Sequence, residues 1–390
     1  MRKLAWLLLV FAPTLAAQRR AAPPAGWDAF VRAFDAYTQG DSIVGASVLV
    51  LKDGRVLARH EYGYGDRALG QRTDSNTIYH WASITKTLTA IAVMQLRDRG
   101  RLSLDDRVTQ WIPELRQIHD PYGSVDSVSI RMLLSHAAGF QNPTWLWSGG
   151  RPWEPFEPTR WDQLVAMMPY QEILFVPGSR YSYSNPGFIY LARIIEQITG
   201  DPWETYVQKN VLTPLGLTRS YFGVTPYHLA AFRSNNYTVT KDSAGRASVI
   251  ANGRDFDPGI TIPNGGWNAP LGDLARYLAF LGNATPGNAI LGRASLEEMW
   301  QARYLAVEPV AGEVTPADSM GLSFFILWRG GMRFVGHTGH QAGFRSFFYI
   351  NPVTGSGVVA AFNTTNDADN DRSEAGFRAV RDAALALVAR

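Results

Sequence analysis

The chain reads Tyr79-His80-Trp81-Ala82-Ser83-Ile84-Thr85-Lys86 over residues 79–86, with a serine and a lysine three positions apart. The apolar residues that follow recur at helical spacing until Gly100, which predicts a helix over 83–99. Ser83 then lies in the first helical turn, and Lys86 lies on the same face one turn later. Long side chains in a helix lean toward its N-terminus, so the lysine amine can reach the serine hydroxyl.

This spacing suits nucleophilic catalysis. A serine hydroxyl is a weak nucleophile unless a base stands beside it, and the positive end of a helix favours a developing alkoxide. Lysine can act as that base once desolvation lowers its pKa, whereas arginine does not release its proton. Ser83 is therefore the candidate nucleophile and Lys86 the candidate base. Alone the motif is weak, because a helix-capping serine followed by a solvated lysine has the same spacing.

A second candidate element is Tyr183-Ser184-Asn185-Pro186-Gly187, which reads as a loop entering a helix over 188–199. The Tyr183 hydroxyl can relay a proton between nucleophile and leaving group. Asn185 can donate to a substrate carbonyl and hold the lysine. Ordinary turn chemistry with a packed tyrosine is the competing interpretation.

The third element is His337-Thr338-Gly339, at the end of a predicted strand. We expect these three residues to bind substrate, because glycine lets a substrate backbone approach closely. The backbone N–H of His340, together with that of Ser83, would form an oxyanion hole. His337 and His340 are three apart on a strand and face opposite sides, so they do not form a chelate.

Both ends of the chain are rich in β-strand patterns. Asp53-Gly54 between two apolar, β-branched runs predicts a hairpin, and further strands are predicted at 333–338, 344–350 and 357–362. The fold class is α+β: an antiparallel sheet built from both chain ends, flanked by helices, with a large, mainly helical lobe inserted. We expect the α/β lobe at about 28–100 and 290–390, and the helical lobe at about 101–289.

Composition excludes several classes of protein. The 390 residues are 46% hydrophobic, carry a net charge of +3 and contain no cysteine. There is accordingly no disulfide framework and no thiol nucleophile, and no basic cluster of the kind that binds nucleic acid.

Arg2 and Lys3 precede a short apolar run and small residues, which predicts a signal peptide over 1–17 and a mature domain over 18–390. The mature protein is expected to be periplasmic or secreted, without a transmembrane segment.

The three motifs together, in this order, resemble those of the penicillin-binding-protein and class C β-lactamase superfamily. Tyr183-Ser184-Asn185 matches the tyrosine form of the second motif, and residues 133–139 resemble a recurrent segment of structural use. His337-Thr338-Gly339 resembles the third motif of class C-like D-alanyl-D-alanine carboxypeptidases, whereas typical class C β-lactamases have Lys-Thr-Gly. The resemblance implies a β-lactamase/transpeptidase-like fold and an acyl-enzyme on Ser83, and it leaves carboxylate recognition open.

The sequence thus predicts a serine hydrolase that cleaves an ester, amide or D-amino-acid peptide bond, with esterase-like activity favoured. A D-alanyl-D-alanine carboxypeptidase, a class C-like β-lactamase and a penicillin-binding sensor without turnover are the alternatives. A Gly-x-Ser-x-Gly elbow and a zinc-binding His-Glu-x-x-His helix are absent from the sequence. No metal or organic cofactor is implied, the partner is a small-molecule or peptide substrate, and the oligomeric state stays open. The tryptophan-rich residues 141–170 either line the cleft or pack under a loop.

Overall fold

The structure is a computed structural model, and it describes residues 22–142, 158–282, 290–306 and 318–389. The predicted signal peptide over 1–17 lies outside these ranges, as do Trp145, Trp147 and Trp153 of the tryptophan-rich segment. No helix within the described ranges is long and apolar enough to cross a membrane.

The described helices and strands have the following bounds. The helices are α1 (Trp27–Gly40), α2 (Thr85–Asp98), α3 (Val108–Trp111), α4 (Ile130–Leu134), α5 (Trp161–Met167), α6 (Pro186–Thr199), α7 (Trp203–Val207), α8 (Ile262–Gly265), α9 (Leu271–Leu281), α10 (Arg293–Met299) and α11 (Asn370–Val388). The strands are β1 (Gly45–Lys52), β2 (Arg55–Asp66), β3 (Gln71–Arg72), β4 (Ile78–Ala82), β5 (Tyr221–Phe222), β6 (Asn236–Lys241), β7 (Ala247–Gly253), β8 (Trp267–Pro270), β9 (Tyr304–Leu305), β10 (Ser319–Met320), β11 (Phe325–Arg329), β12 (Met332–Gln341), β13 (Phe344–Ile350), β14 (Ser356–Phe362) and β15 (Thr364–Asn366).

One antiparallel sheet dominates the fold. Nine of the described strands form it in the order β3-β2-β1-β14-β13-β12-β11-β10-β9, so its strands come from both ends of the chain. The predicted hairpin joins β1 to β2, and Asp53 and Gly54 both adopt the left-handed conformation that such tight turns require. The predicted α+β fold class with a sheet from both chain ends is confirmed.

Helices cover both faces of this sheet. Alternate residues of β1 point to opposite sides: Val48 and Val50 pack in the cluster formed with α1 and α11, whereas Leu49 and Leu51 pack in the cluster that contains α2 and α9. Such burial contributes about 25 cal/mol for each Å² of apolar surface removed from water. The sheet is therefore the middle layer of a three-layer core.

The inserted middle of the chain contributes strands as well as helices. β4, β8 and β5 form a small sheet, and β15, β6 and β7 form another. Strands β5–β8 fall inside the segment predicted as mainly helical; β6 and β7 lack a long apolar pattern, and much of β7 is exposed. The boundaries of the two lobes stay a prediction. For function, β4 matters most, because it leads directly into Ser83.

Candidate active site

Ser83 lies in a tight turn between β4 and α2. Ala82, immediately before it, has a φ of 48°, a left-handed conformation that costs an L-residue about 1–2 kcal/mol. The Lys86 N–H donates to the Ser83 carbonyl at 3.0 Å, and the regular helix begins at Thr85. The helix predicted over 83–99 therefore begins two residues later than predicted, at Thr85. The reason is that the turn at Ala82 carries the chain from the strand into the helix.

The Lys86 amine is the centre of the site. Its Nζ lies 3.1 Å from Ser83 Oγ, 2.8 Å from Asn185 Oδ1 and 2.8 Å from the carbonyl oxygen of Asn264. The side chain is fully buried, at 0% exposure. Burial lowers the pKa of the Lys86 amine well below its ordinary value.

The three contacts of this amine define its protonation chemistry. A carbonyl oxygen only accepts, so the two N–H groups of a neutral amine donate to the oxygens of Asn185 and Asn264. Its lone pair is then left for the Ser83 hydroxyl, which is the arrangement that a general base requires. Burial favours the neutral amine, and the two acceptor oxygens are compatible with that state.

The Asn185 amide is held in one orientation. Its Oδ1 accepts from Lys86 and from Asn264 Nδ2 at 3.0 Å, while its Nδ2 donates to Asn142 Oδ1 at 3.1 Å. Asn185 immediately precedes α6, and Asn264 belongs to α8. The lysine is thus fixed by residues from separate parts of the chain, and Asn185 takes up the lysine-holding position that the sequence predicted.

Tyr183 packs beside the amine and against a buried histidine. Lys86 Nζ lies 5.0 Å from the centre of the Tyr183 ring, and the ring of His136 stacks on Tyr183 at 4.2 Å between centroids. His136 Nδ1 accepts the backbone N–H of Ser184 at 3.1 Å, which places the proton of the neutral ring on Nε2. Burial lowers the pKa of His136 well below its usual range, and Lys86 adds to this effect. His136 therefore supports the loop that carries Tyr183 and Asn185.

The third motif lies on β12 next to the turn of Ser83. A Cβ on Gly339 would lie 2.2 Å from the Trp81 carbonyl oxygen, so only glycine permits this approach of the two strands. β11 pairs with β12 only as far as Gly336, so within the described residues the segment 337–341 is not paired with β11.

His337 is buried and neutral. Burial, followed by the proximity of Lys86, lowers its pKa to about 3. Its Nδ1 contacts the Thr338 carbonyl, so Nδ1 carries the proton, and the ring lies 6.4 Å from that of Tyr183. His337 Nε2 is buried and has no hydrogen-bond partner among the described residues.

The remaining third-motif residues differ from one another in exposure. Thr338 is partly exposed and lies opposite Phe347 on β13; His340 is exposed and lies opposite Arg345. His337 and Gly339 share one face of β12, and the side chain of His340 takes the other. Of the site residues predicted from sequence, the structure brings Ser83, Lys86, Asn185, Tyr183 and His337 into one cluster, while His340 would contribute through its backbone N–H.

Sequence reasoning missed three residues of the site: Asn264, Asn142 and His136. The carbonyl that holds Lys86 belongs to Asn264, 178 positions away, and any residue type has a carbonyl. The segment 133–139 was recognised as structural, and that was the one available signal for His136. Within the described residues no group of acidic, histidine or cysteine side chains is arranged to hold a metal ion.

Two arginines near the third motif in sequence form ion pairs with acidic side chains. Arg333 lies 2.8 Å from Glu297, and Arg329 lies 3.5 Å from Asp318 and 3.6 Å from Asp382. Among the basic side chains of the described residues, Lys86 is the one in hydrogen-bond contact with Ser83.

The chain is similar to known proteins over most of its length. The family model described as Beta-lactamase matches residues 30–383. Esterase EstB of Burkholderia gladioli is 31% identical over 258 residues, which cover 60% of this chain and 64% of the esterase. Protein flp of Staphylococcus aureus (strain COL) is 25% identical over 329 residues, which cover 84% of this chain and 61% of that protein. The chain thus spans less than two thirds of the length of either relative.

Solved structures share the fold. The octameric penicillin-binding protein homologue from Pyrococcus abyssi is 27% identical, with 87% of this chain and 74% of that chain covered and a TM-score of 0.73. A class C beta-lactamase is 20% identical, with 92% and 95% covered and a TM-score of 0.71. The D-amino acid amidase from Ochrobactrum anthropi is also 20% identical, with 92% and 98% covered and a TM-score of 0.73. The two structures at 20% identity bear on the fold alone.

Proposed function

The chain belongs to the beta-lactamase family of serine hydrolases, and from that premise we propose that it hydrolyses small neutral esters through an acyl-enzyme on Ser83. Lys86 is the base, Tyr183 the proton relay, and Asn185 and residues 337–340 bind the substrate. The observation that carries the proposal is the fully buried Lys86 amine, whose Nζ lies 3.1 Å from Ser83 Oγ.

The reaction has two halves. Ser83 Oγ attacks the ester carbonyl carbon while Lys86 Nζ takes the hydroxyl proton. The C–O bond to the alcohol breaks, and the proton reaches the leaving oxygen from Lys86 through Tyr183. Water then attacks the acyl-enzyme, gives up a proton to the same base, and releases the carboxylic acid as Ser83 regains its proton. The backbone N–H groups of Ser83 and His340 stabilise the oxyanion in both halves.

The preference for a neutral substrate rests on the third motif. A neutral His337 supplies no fixed positive charge where typical class C β-lactamases carry lysine. Losing one partner of a buried charged contact costs about 2–5 kcal/mol, which an ester without a carboxylate does not lose. The engagement of Arg329 and Arg333 with acidic residues supports the same choice, and so does the similarity to Esterase EstB.

Two alternatives remain as outcomes of the test. A D-alanyl-D-alanine carboxypeptidase or class C-like β-lactamase would use the same serine and lysine on a substrate with a carboxylate. A sensor would be acylated by penicillin at Ser83 and release no product.

We also propose, from residues 1–17, that the mature protein is periplasmic or secreted.

A substrate panel on the purified mature protein tests the proposal. It contains p-nitrophenyl esters of several chain lengths, a chromogenic cephalosporin and a D-Ala-D-Ala peptide. We expect the highest kcat/KM on a short ester and weak or no hydrolysis of the cephalosporin. Preference for the cephalosporin or the peptide would replace the esterase assignment, and stoichiometric labelling without turnover on any substrate would favour the sensor.

A further inference from the structure

A buried histidine outside the three motifs links two of them. His80 lies on β4, three residues before Ser83, and its Nε2 lies 3.0 Å from Oε1 of the Gln341 side-chain amide. Gln341 is the last residue of β12 and directly follows His340. The other ring nitrogen of His80 lies 2.9 Å from Asn268 Oδ1 on β8. One side chain therefore connects the strand that leads into the nucleophile with the strand of the third motif.

The protonation of this link follows from its surroundings. Burial, followed by the nearby charge of Arg233, lowers the pKa of His80 to about 4, so the ring is neutral at pH 7. A neutral imidazole donates from one nitrogen only. Asn268 Nδ2 donates to the carbonyls of Gly223 and Gly266, which fixes Asn268 Oδ1 as the acceptor of the His80 Nδ1 proton. His80 Nε2 then accepts. The structure places Gln341 Oε1 at this nitrogen, and two acceptors do not bond, so we assign the Gln341 amide in the turned orientation, with its NH₂ group donating to His80.

Packing leaves little freedom on either side of this contact. The His80 ring meets Phe256 edge to face at 4.7 Å and lies 5.8 Å from Phe344, the first residue of β13. A Cβ on Gly265 would lie 2.4 Å from the Gln341 amide, so Gln341 packs directly on the backbone of α8. α8 also supplies the Asn264 carbonyl that holds Lys86.

The same two strands carry the expected oxyanion donors. Ser83 follows the end of β4, and His340 immediately precedes Gln341. On the Ser83 side of His80, β4 and β12 meet where Gly339 approaches the Trp81 carbonyl. Ser346 Oγ of the neighbouring strand β13 donates to the same carbonyl at 3.2 Å. The hydrogen bond from Gln341 to His80 is thus a second fixed point between the two strands.

We propose that His80 and Gln341 are positioning residues that set the distance between the backbone N–H groups of Ser83 and His340, and so the geometry of the oxyanion hole. This inference rests on the proposed function, since it needs an acyl-enzyme on Ser83. Losing one oxyanion donor commonly costs about 10²–10³ in kcat. Displacing a donor without removing it should cost less, about 10–100-fold in kcat with little change in KM.

The test combines kinetics with a spectroscopic measure of the oxyanion hole. We would measure kcat and KM on p-nitrophenyl acetate, and the infrared carbonyl stretch of the acyl-enzyme formed with a slowly released cinnamoyl ester. The variants are His80→Leu, Gln341→Leu, the double variant, and His80→Gln, which keeps a donor and an acceptor. Tyr79→Phe is the matched control: it removes a buried hydrogen bond to Ser47 from the neighbouring position of the same strand.

We expect both leucine variants to lower kcat about 10–100-fold and to shift the carbonyl stretch to higher frequency, because the carbonyl loses hydrogen bonding. The double variant should be no worse than the poorer single variant, and His80→Gln should recover part of the loss. Tyr79→Phe should leave the stretch unchanged. An unchanged carbonyl frequency in both folded single variants, or the same shift in Tyr79→Phe, would overturn the inference. A parent enzyme that is not acylated at Ser83 would instead overturn the proposed function and this inference with it.

Discussion

Lys86 and His337 are two buried nitrogen bases close to Tyr183, yet their hydrogen-bond contacts differ. Their side chains are 0% and 1% exposed. The lysine amine contacts oxygens from three separate segments, whereas the imidazole contacts one neighbouring carbonyl and keeps Nε2 without a partner among the described residues. Burial lowers the pKa of both groups, but of the two it is the Lys86 amine that contacts the Ser83 hydroxyl. The difference between them lies in the oxygen atoms that surround the Lys86 amine.

The strongest test of the Lys86 region removes the group on which it acts. Ser83→Ala should lower turnover by about 10³-fold or more on every substrate that the parent cleaves, because no other side chain is proposed to form the acyl-enzyme. Steady-state kinetics measures the loss. Circular dichroism and thermal unfolding should show a folded protein destabilised by no more than about 1 kcal/mol. Near-normal rates in this variant would show that the mechanism is wrong.

The next test separates the charge of Lys86 from its basicity. Lys86→Arg should be nearly as inactive as Lys86→Ala, because a guanidinium keeps the charge but does not accept the serine proton. Both should lose about 10²–10⁴-fold in kcat/KM. Substantial activity in the arginine variant would mean that Lys86 acts as a positive charge, and the base role would pass to Tyr183.

A third test gives the His337 region a charge. His337→Lys should raise the ratio of kcat/KM on a chromogenic cephalosporin to that on a short ester by about tenfold or more, because a cation there can pair with the β-lactam carboxylate. His337→Gln is the control that changes shape without charge and should leave the ratio near that of the parent. No gain on the cephalosporin in the lysine variant would refute this account of specificity.

The smallest expected effect concerns stability in acid. The folded-state pKa values of His337 and His80, about 3 and about 4, lie below the unfolded value of about 6.5. Below pH 6.5 the unfolded chain binds protons that the folded chain does not, so this contribution to stability is fully present above pH 6.5 and falls as the pH falls. Each histidine should lose about 2 kcal/mol between pH 6.5 and pH 5.

Chemical denaturation at several pH values measures this slope. His337→Gln should flatten it between pH 6.5 and pH 5, because glutamine takes up no proton in either state. The exposed His228→Gln is the matched surface control. An equal slope in the parent and in His337→Gln would contradict a neutral, buried imidazole at position 337.

Much of the architecture could be predicted because it depends on neighbours in sequence. Asp53-Gly54 indicated the hairpin, since few residues adopt two successive left-handed conformations. The period of apolar residues indicated α2 and α6 but missed the start of α2 by two residues, because the left-handed turn at Ala82 has no glycine to signal it. β7 was missed because most of its residues are exposed and carry no core pattern. β6 was missed although it is largely buried, because asparagine and threonine interrupt its apolar residues.

What the sequence determined by itself was the chemistry within single turns: a serine and a lysine one helical turn apart, and a glycine at the end of a strand. Only the tertiary structure decided which distant groups contact these residues and how far their pKa values shift. The carbonyl of Asn264 reaches Lys86 across 178 positions and Gln341 reaches His80 across 261, and such contacts leave no local pattern. The physical reason is that a pKa depends on burial and on nearby dipoles, and both are properties of the packed chain rather than of any short segment.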